Sequence, residues 1–358
     1  MSSMWGSRIR ISVFGESHGQ AIGVVIDGLP AGVKLDLELI SQEMKRRRPG
    51  YSELTTARRE EDRVDILSGF FQGTTTGTPL TAVILNTNTK SKDYEAIKDL
   101  IRPSHADYTG HIKYTSFNDY RGGGHFSGRL TAPLVFAGAI AKQMLKEKNI
   151  TIGGHIQSIA DVDDSSFNPV SIEPLLLKEL AKKEFCVIDD SKGQQMKEQI
   201  LKAKAENDSV GGIIEAAIVN LPVGAGDPIF NAVESTLAQL LFSIPAVKGV
   251  EFGRGFAISR MKGSEANDQM FIDNGQIGFF TNNNGGILGG IATGMPVIFR
   301  VAVKPTPSIG RAQKTVDIAK RINTTIEIQG RHDPCIVPRV LPVIEAAAAL
   351  ATLELLGG

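Results

Sequence analysis

The sequence predicts a protein of mixed strands and helices, folded as one domain over residues 1–358. Three observations predict it. Short β-rich segments alternate with longer segments of helical spacing along the whole chain. No Ser/Pro-rich linker or low-complexity tract divides it. The loops that carry charged and imidazole side chains are scattered over the chain, which favours one compact domain even though the length alone suggests two.

Residues 9–14 alternate and are β-rich, so they read as a strand ending at Gly15. Residues 23–27 read as the next strand, and Leu29-Pro30-Ala31-Gly32 as a turn. Asp36 stands where an N-cap belongs, ahead of helical spacing over 37–47. That helix brings arginines to its C-terminal end, where the dipole favours cations. Residues 132–148 have helical spacing, with Gly138 and Ala139 suggesting close packing. Residues 171–183 and 193–205 read as polar, Lys-rich outer helices. Residues 213–220 read as a strand, followed by Leu221-Pro222-Val223-Gly224 and a helix over 229–242. Residues 286–293 are glycine-rich and apolar, 297–303 form a strand, and 337–356 an Ala-rich, buried closing helix. A strand, then Leu-Pro-x-Gly, then a helix occurs twice, a pattern that an internal duplication would leave.

Hydrophobic residues make up 42% of the chain, enough for a substantial core. No apolar run reaches the roughly 18 residues of a membrane span, and the start lacks a signal peptide's apolar stretch. Cys186 and Cys335 are too few for a disulfide framework, and no Cys-x-x-Cys pair suggests zinc. These readings give an expected cytoplasmic location, with no metal and no membrane partner. Lys plus Arg and Asp plus Glu both number 39, so the chain lacks the basic excess of a nucleic-acid surface. Its positive charge is clustered instead, at Arg46 to Arg48, at Arg58-Arg59 and at arginines beside glycine, which suits a small anion.

The chemistry-bearing loops read Gly15-Glu16-Ser17-His18-Gly19, Arg46-Arg47-Arg48-Pro49-Gly50, Arg102-Pro103-Ser104-His105-Ala106-Asp107, Gly122-Gly123-Gly124, Lys304-Pro305-Thr306-Pro307-Ser308 and Arg331-His332-Asp333-Pro334-Cys335. Histidine titrates near neutrality and can give or take a proton. Arginine forks match carboxylate and phosphate groups. A glycine run lets backbone N–H groups approach a ligand. Each loop also has a plain structural reading: a histidine bonded to its own loop, a solvated helix end, a hairpin tip. Adjacent helix positions point apart, so Arg46, Arg47 and Arg48 cannot all face one ligand; Arg47 and Arg48 are expected at the site, with Arg46 partly outside.

Taken in order from Gly15 to Arg339, these segments resemble the chorismate synthase family. The resemblance implies an α+β fold, a β-α-β sandwich of antiparallel sheets around a helical core, usually assembled as a homotetramer. It implies anti-1,4-elimination of phosphate from 5-enolpyruvylshikimate 3-phosphate to give chorismate, with reduced FMN as cofactor and no net redox change. By the same resemblance, His18 protonates or holds the flavin, His105 donates a proton to the departing phosphate, and Asp333 sets protonation near flavin N5. Arg47, Arg48 and Arg129 would bind substrate. His125, Phe126, Ser127, Pro245, Ala246, Gly289, Lys304, Pro305, Thr306, Pro307, Ser308 and Arg331 would hold FMN. His125 to Arg129 departs from the family's commoner Arg-Ser-Ser-Ala-Arg, and Pro245 stands where many relatives have Asn. His111, His155 and His332 are expected to be structural. NADPH is one source of reductant for the flavin; the chain has no G-x-G-x-x-G fingerprint, which favours an external supply. Two competing classes are a flavin enzyme of net hydride transfer and a non-enzymatic anion or RNA-binding module.

Overall fold

The computed structural model describes residues 3–50, 54–55, 60–87, 94–95, 97–328 and 333–357. Two five-stranded antiparallel sheets form the outer layers. The first runs in the order Met4–Trp5, Arg10–Gly15, Ala21–Asp27, Leu80–Leu85, Val64–Ser68. The second runs Val247–Phe252, Val297–Val303, Gly212–Val219, Thr151–Ile159, Val162–Asp163.

Two helices lie between the sheets. Thr131–Glu147 packs on the first sheet and Val337–Leu356 on the second, and each helix packs on the other. Both are rich in small buried residues, so their backbones come close: a Cβ added to Gly138 would sit 2.2 Å from Ala346 Cβ. Leu, Ile and Val from both sheets close over this pair and form one continuous apolar core. The expected sandwich of antiparallel sheets around a helical core is what the chain forms.

The repeated strand, turn and helix pattern occupies matching positions in the two sheets. Ala21–Asp27 and Gly212–Val219 are each the third strand of their sheet. Each is followed by its Leu-Pro-x-Gly turn and then by a helix, Leu37–Arg47 or Val233–Ser243, and both helices pack on Val337–Leu356.

Leu37–Arg47 shows how local chemistry aims side chains at the site. Asp36 caps it as expected, its carboxylate accepting from the N–H groups of Glu38 and Leu39 at 3.0 and 3.1 Å. The helix stops at Arg48, which precedes Pro49 and turns extended (φ −67°, ψ 152°) because a residue before proline avoids the helical region. Arg46 and Arg47 leave the last turn in different directions, one into the core and one towards the opening between the layers. Among the described residues, no helix is long and apolar enough to cross a membrane.

Candidate active site

Loops from both sheets and the start of both central helices enclose a cavity of about 1000 Å³. The segment Gly122-Gly123-Gly124 forms part of its wall, with φ of 64°, 107° and 54°. Three successive left-handed residues are tolerated only by glycine. The space around them gives a second reason: a Cβ on Gly122 would lie 2.5 Å from His18 Cε1 and Nδ1, and one on Gly123 would lie 3.1 Å from His105 Cε1 and Nε2. The triglycine segment is thus seated against both sequence-predicted histidines. The loop of His18 is docked onto it, Ser17 N–H donating to Gly124 C=O at 3.1 Å. His18 itself is buried and packs against the Tyr94 ring at 5.1 Å.

His105 reaches the cavity directly. Its Nδ1 lies 2.7 Å from Asp107 Oδ1 and 3.2 Å from Arg102 Nη2. Arg102 grips the same carboxylate with Nε and Nη2, both at 2.7 Å, and with its backbone N–H at 3.0 Å. Burial would raise the Asp107 carboxyl, but hydrogen bonds from Arg102 and His105 outweigh it and hold the group well below the usual carboxylate range.

Of the helix-end arginines, Arg47 lines the cavity and is buried. Its Nη1 donates to Asp62 at 3.0 Å, Nη2 to the Gly128 carbonyl at 2.8 Å and Nε to Thr131 at 3.2 Å. Arg129 also lines the cavity and donates to the other oxygen of Asp62 at 2.6 Å and to Asn86 at 2.5 Å. One carboxylate therefore orients both guanidinium groups. Burial, reinforced by the positive charges of Arg339 and Arg129, pushes Arg47 down to about 10 against the pull of Asp62. Extra negative charge in the cavity would relieve this. Arg46 turns the other way, with Glu345 and Glu43 as partners, and shares Glu345 with Lys142. Burial lowers its pKa, yet Glu345 and Glu43 together raise it above the ordinary value, so it is satisfied as a core ion pair. Arg48 is not among the described residues that line the cavity, and its Nη1 donates to the Glu61 carbonyl at 3.2 Å.

The expected cofactor loops converge on the same space. His125, Phe126, Ser127, Pro245, Ala246, Lys304, Thr306, Pro307 and Ser308 all line it. His125 Nδ1 donates to the Gly15 carbonyl at 2.9 Å, and Nε2 lies 2.9 Å from the Ser3 hydroxyl, so its ring ties the N-terminal strands to the wall. Ala246 sits at φ 76°, and its carbonyl accepts the Lys304 N–H at 2.9 Å, locking two of these loops together. Lys304 Nζ donates to the Ser104 carbonyl at 2.6 Å. Burial first, then the charge of Lys248, lowers the Lys304 pKa. The Thr306 hydroxyl is buried and has no hydrogen-bond partner among the described residues. Pro305 is exposed beside this group, outside the lining.

Gly289 occupies the turn between Ile287–Leu288 and Ile291–Ala292, not the cavity lining. Asp333 lines the cavity, and Arg339 donates to its carboxylate. Arg331, His332 and the Arg58-Arg59 pair lie outside the described residues. Sequence reasoning missed Asp62, Glu60, Asn86 and Arg339. The only available signal was the acidic run Glu60-Glu61-Asp62 close to basic residues, which also describes an ordinary charged loop.

His155 is structural, as expected. It is fully buried, its Nδ1 3.0 Å from Asp164 and its Nε2 3.0 Å from Glu215. His111 faces Ser116 at 3.1 Å, away from the cavity.

Two antiparallel layers closing over a helix pair, with buried guanidinium groups and a carboxylate-held imidazole at one cavity, define a site for acid–base work on an anionic small molecule. The chorismate synthase family model matches residues 9–356. A chorismate synthase of Methanocaldococcus jannaschii is 48% identical, over 99% of this chain and 96% of that one. A chorismate synthase of Dehalococcoides mccartyi is 46% identical over the same shares. A crystal structure of a chorismate synthase superposes with a TM-score of 0.77 at 30% identity, covering 98% of this chain and 92% of that one. The chain belongs to the chorismate synthase family. Its activity is that of a carbon–oxygen lyase, converting 5-enolpyruvylshikimate 3-phosphate to chorismate and phosphate with a requirement for reduced FMN.

Proposed function

We propose that the cavity between the layers holds substrate and reduced FMN together, in one catalytic domain. The observation that carries this reading is the convergence of His105, Arg47, Arg129, Lys304 and Thr306 on one space. The lining fits a flavin phosphate and ring. Lys304 is a cation whose charge is disfavoured until an anion arrives, and Thr306 offers a buried hydroxyl with no described partner. Residues 304–308, Ala246 and the segment 125–127 would hold the cofactor, with Pro245 contributing shape but no side-chain hydrogen bond. When bound, reduced FMN supplies electron density and a basic site for the ring proton.

The chain's own residues do the rest. Arg47 and Arg129 present forks already oriented by Asp62, so little ordering is left for binding. His105 gives a proton from Nε2 to the leaving phosphate oxygen, returning to neutral imidazole as the O–H bond forms. His18, buried behind Gly122, holds a proton at the flavin side. Asp333, held by Arg339, would help set protonation near flavin N5. Arg48 and Gly289 are left with roles outside the described lining. The enzyme is proposed to work in the cytoplasm as a homotetramer, with the flavin reduced externally and NADPH one source of reductant.

An anaerobic assay tests this. Substrate with chemically reduced FMN should give chorismate without accumulating oxidised flavin. Oxidised FMN with NADPH alone should give none. Net flavin oxidation in step with product would instead establish hydride transfer.

A further inference from the structure

The loop of residues 102–107 is built more tightly than a proton donor alone requires. Pro103 fixes one φ angle, Ser104 adopts φ 57°, and His105 N–H donates back to the Arg102 carbonyl at 3.2 Å. Within that turn the imidazole has only one acceptor on its Nδ1 side, Asp107 Oδ1 at 2.7 Å. The other neighbour of Nδ1, Arg102 Nη2, lies farther away at 3.2 Å and already donates to the same Asp107 oxygen at 2.7 Å. Nδ1 must therefore bear a hydrogen, and Nε2 is the nitrogen turned to Gly123, on a residue that lines the cavity.

We propose that Asp107, clamped by Arg102, is the positioning residue for His105: it fixes the Nδ1–H tautomer, so that proton exchange with ligands runs through Nε2 alone. This rests on the reading of His105 as the proton donor. The clamp explains why the carboxylate does not take the proton itself. It accepts four hydrogen bonds, three from Arg102 and one from His105, and so remains an anion throughout. After Nε2 releases its proton, the ring is already in the neutral form the pocket favours, and nothing needs to rotate.

Asp107→Asn makes a sharp test because the site dictates how the amide sits. An NH₂ group at the Oδ2 position would face two Arg102 donors, the backbone N–H and Nε. At the Oδ1 position it faces one Arg102 donor and can donate to His105 Nδ1. The second placement is favoured, and it strips Nδ1 of its hydrogen. The neutral ring then carries its proton on Nε2 and presents a donor where an acceptor stood.

The experiment uses full-length protein labelled with ¹⁵N-histidine, with His105→Ala identifying the signal. Wild type should show a pyrrole-type Nδ1 and a pyridine-type Nε2 in the neutral ring of His105. Asp107→Asn should exchange the two, and kcat with reduced FMN should fall at least about tenfold while KM for substrate stays within about threefold. An Nε2–H tautomer in wild type overturns the inference. So does an Asp107→Asn enzyme that keeps the wild-type tautomer or the wild-type kcat while His105→Ala is inactive. If His105→Ala turns over normally, the reading of His105 falls, and the inference falls with it.

Discussion

Two histidines in this molecule are paired with carboxylates, and they do opposite things. His105 lines the cavity with one ring nitrogen held by Asp107 and the other turned to Gly123. His155 lies in the second sheet, fully buried, with a carboxylate on each nitrogen. Both pairs use the same chemistry at nearly the same distances. What separates a reactive imidazole from a structural one is the number of nitrogens the fold leaves uncommitted. The surrounding backbone tells the same story. Asp164 also accepts from the N–H groups of Ile188 and Asp189, and Glu215 from that of Phe167, so the His155 cluster ties together segments distant in sequence. Asp107 serves only its own turn.

The largest effect should come from the free nitrogen. His105→Ala should lose about 10²- to 10⁴-fold in turnover, the range for removing a general acid, with FMN binding and melting temperature nearly unchanged. Normal single-turnover rates would make the two histidines equivalent and erase the contrast. His155→Ala should do the reverse. It leaves two buried carboxylates without their cation and should cost about 3–5 kcal/mol of stability, the scale for breaking a buried pair. Chemical denaturation measures this, and the rate per folded molecule should stay near wild type.

A pH series sharpens the comparison further. Burial alone would lower the His155 pKa, but Asp164 and Glu215 raise it above its ordinary 6.5. The protonated form is the one the fold favours. Its contribution to stability is therefore complete below about pH 6.5 and is lost as the pH climbs through the raised folded value. Asp107 contributes on the other side: its stabilisation is present above about pH 3.8 and fades as acid approaches its depressed value. Melting curves should lose an alkaline limb in His155→Gln and an acid limb in Asp107→Asn. Limbs that stay in place would assign the pH dependence to other groups.

Among the arginines the same logic gives a smaller effect. Arg47→Ala should weaken substrate binding by about 1.5–3 kcal/mol, the scale of hydrogen bonds to charged groups, and Arg48→Ala should weaken it less. Calorimetry that ranks them the other way would move the substrate towards Arg48. Smallest of all, Thr306→Val should lower FMN affinity by about 1 kcal/mol, one ordinary hydrogen bond, while leaving the apoprotein as stable or slightly more so. Unchanged FMN titrations would remove Thr306 from the cofactor site.

Periodicity made the framework legible. The helix read over 37–47 and the closing helix over 337–356 match Leu37–Arg47 and Val337–Leu356, and the strand at 297–303 matches Val297–Val303, because burial of one face or a continuous run is written directly into residue order. The helix read from 229 starts at Val233 instead, since residues 222–232 take a longer loop path with Ile229 at φ 74°. Val64–Ser68 escaped as a short strand with polar residues mixed in, and Leu80–Leu85 as a short apolar run that periodicity alone does not assign. In the site, histidines and arginines beside glycine or proline were readable because their neighbours restrict the backbone. Asp107, inside the same loop as His105, was readable too, but the carboxylates that hold the buried arginines from afar were not. Asp62 meets Arg129 across 67 positions and Glu345 meets Arg46 across 299, and no local pattern encodes such a pairing.

The cavity takes its walls from both layers: residues 102–131 belong to the first half of the chain, residues 245–248 and 304–308 to the second. A molecule bound there acts as a cross-link between the halves, and its binding free energy becomes cohesion. At a concentration 100 times its dissociation constant a ligand adds about 2.7 kcal/mol against unfolding, and here that increment falls on the seam. The loaded protein should open as a unit, and a fragment carrying either sheet alone would inherit a wall but no site.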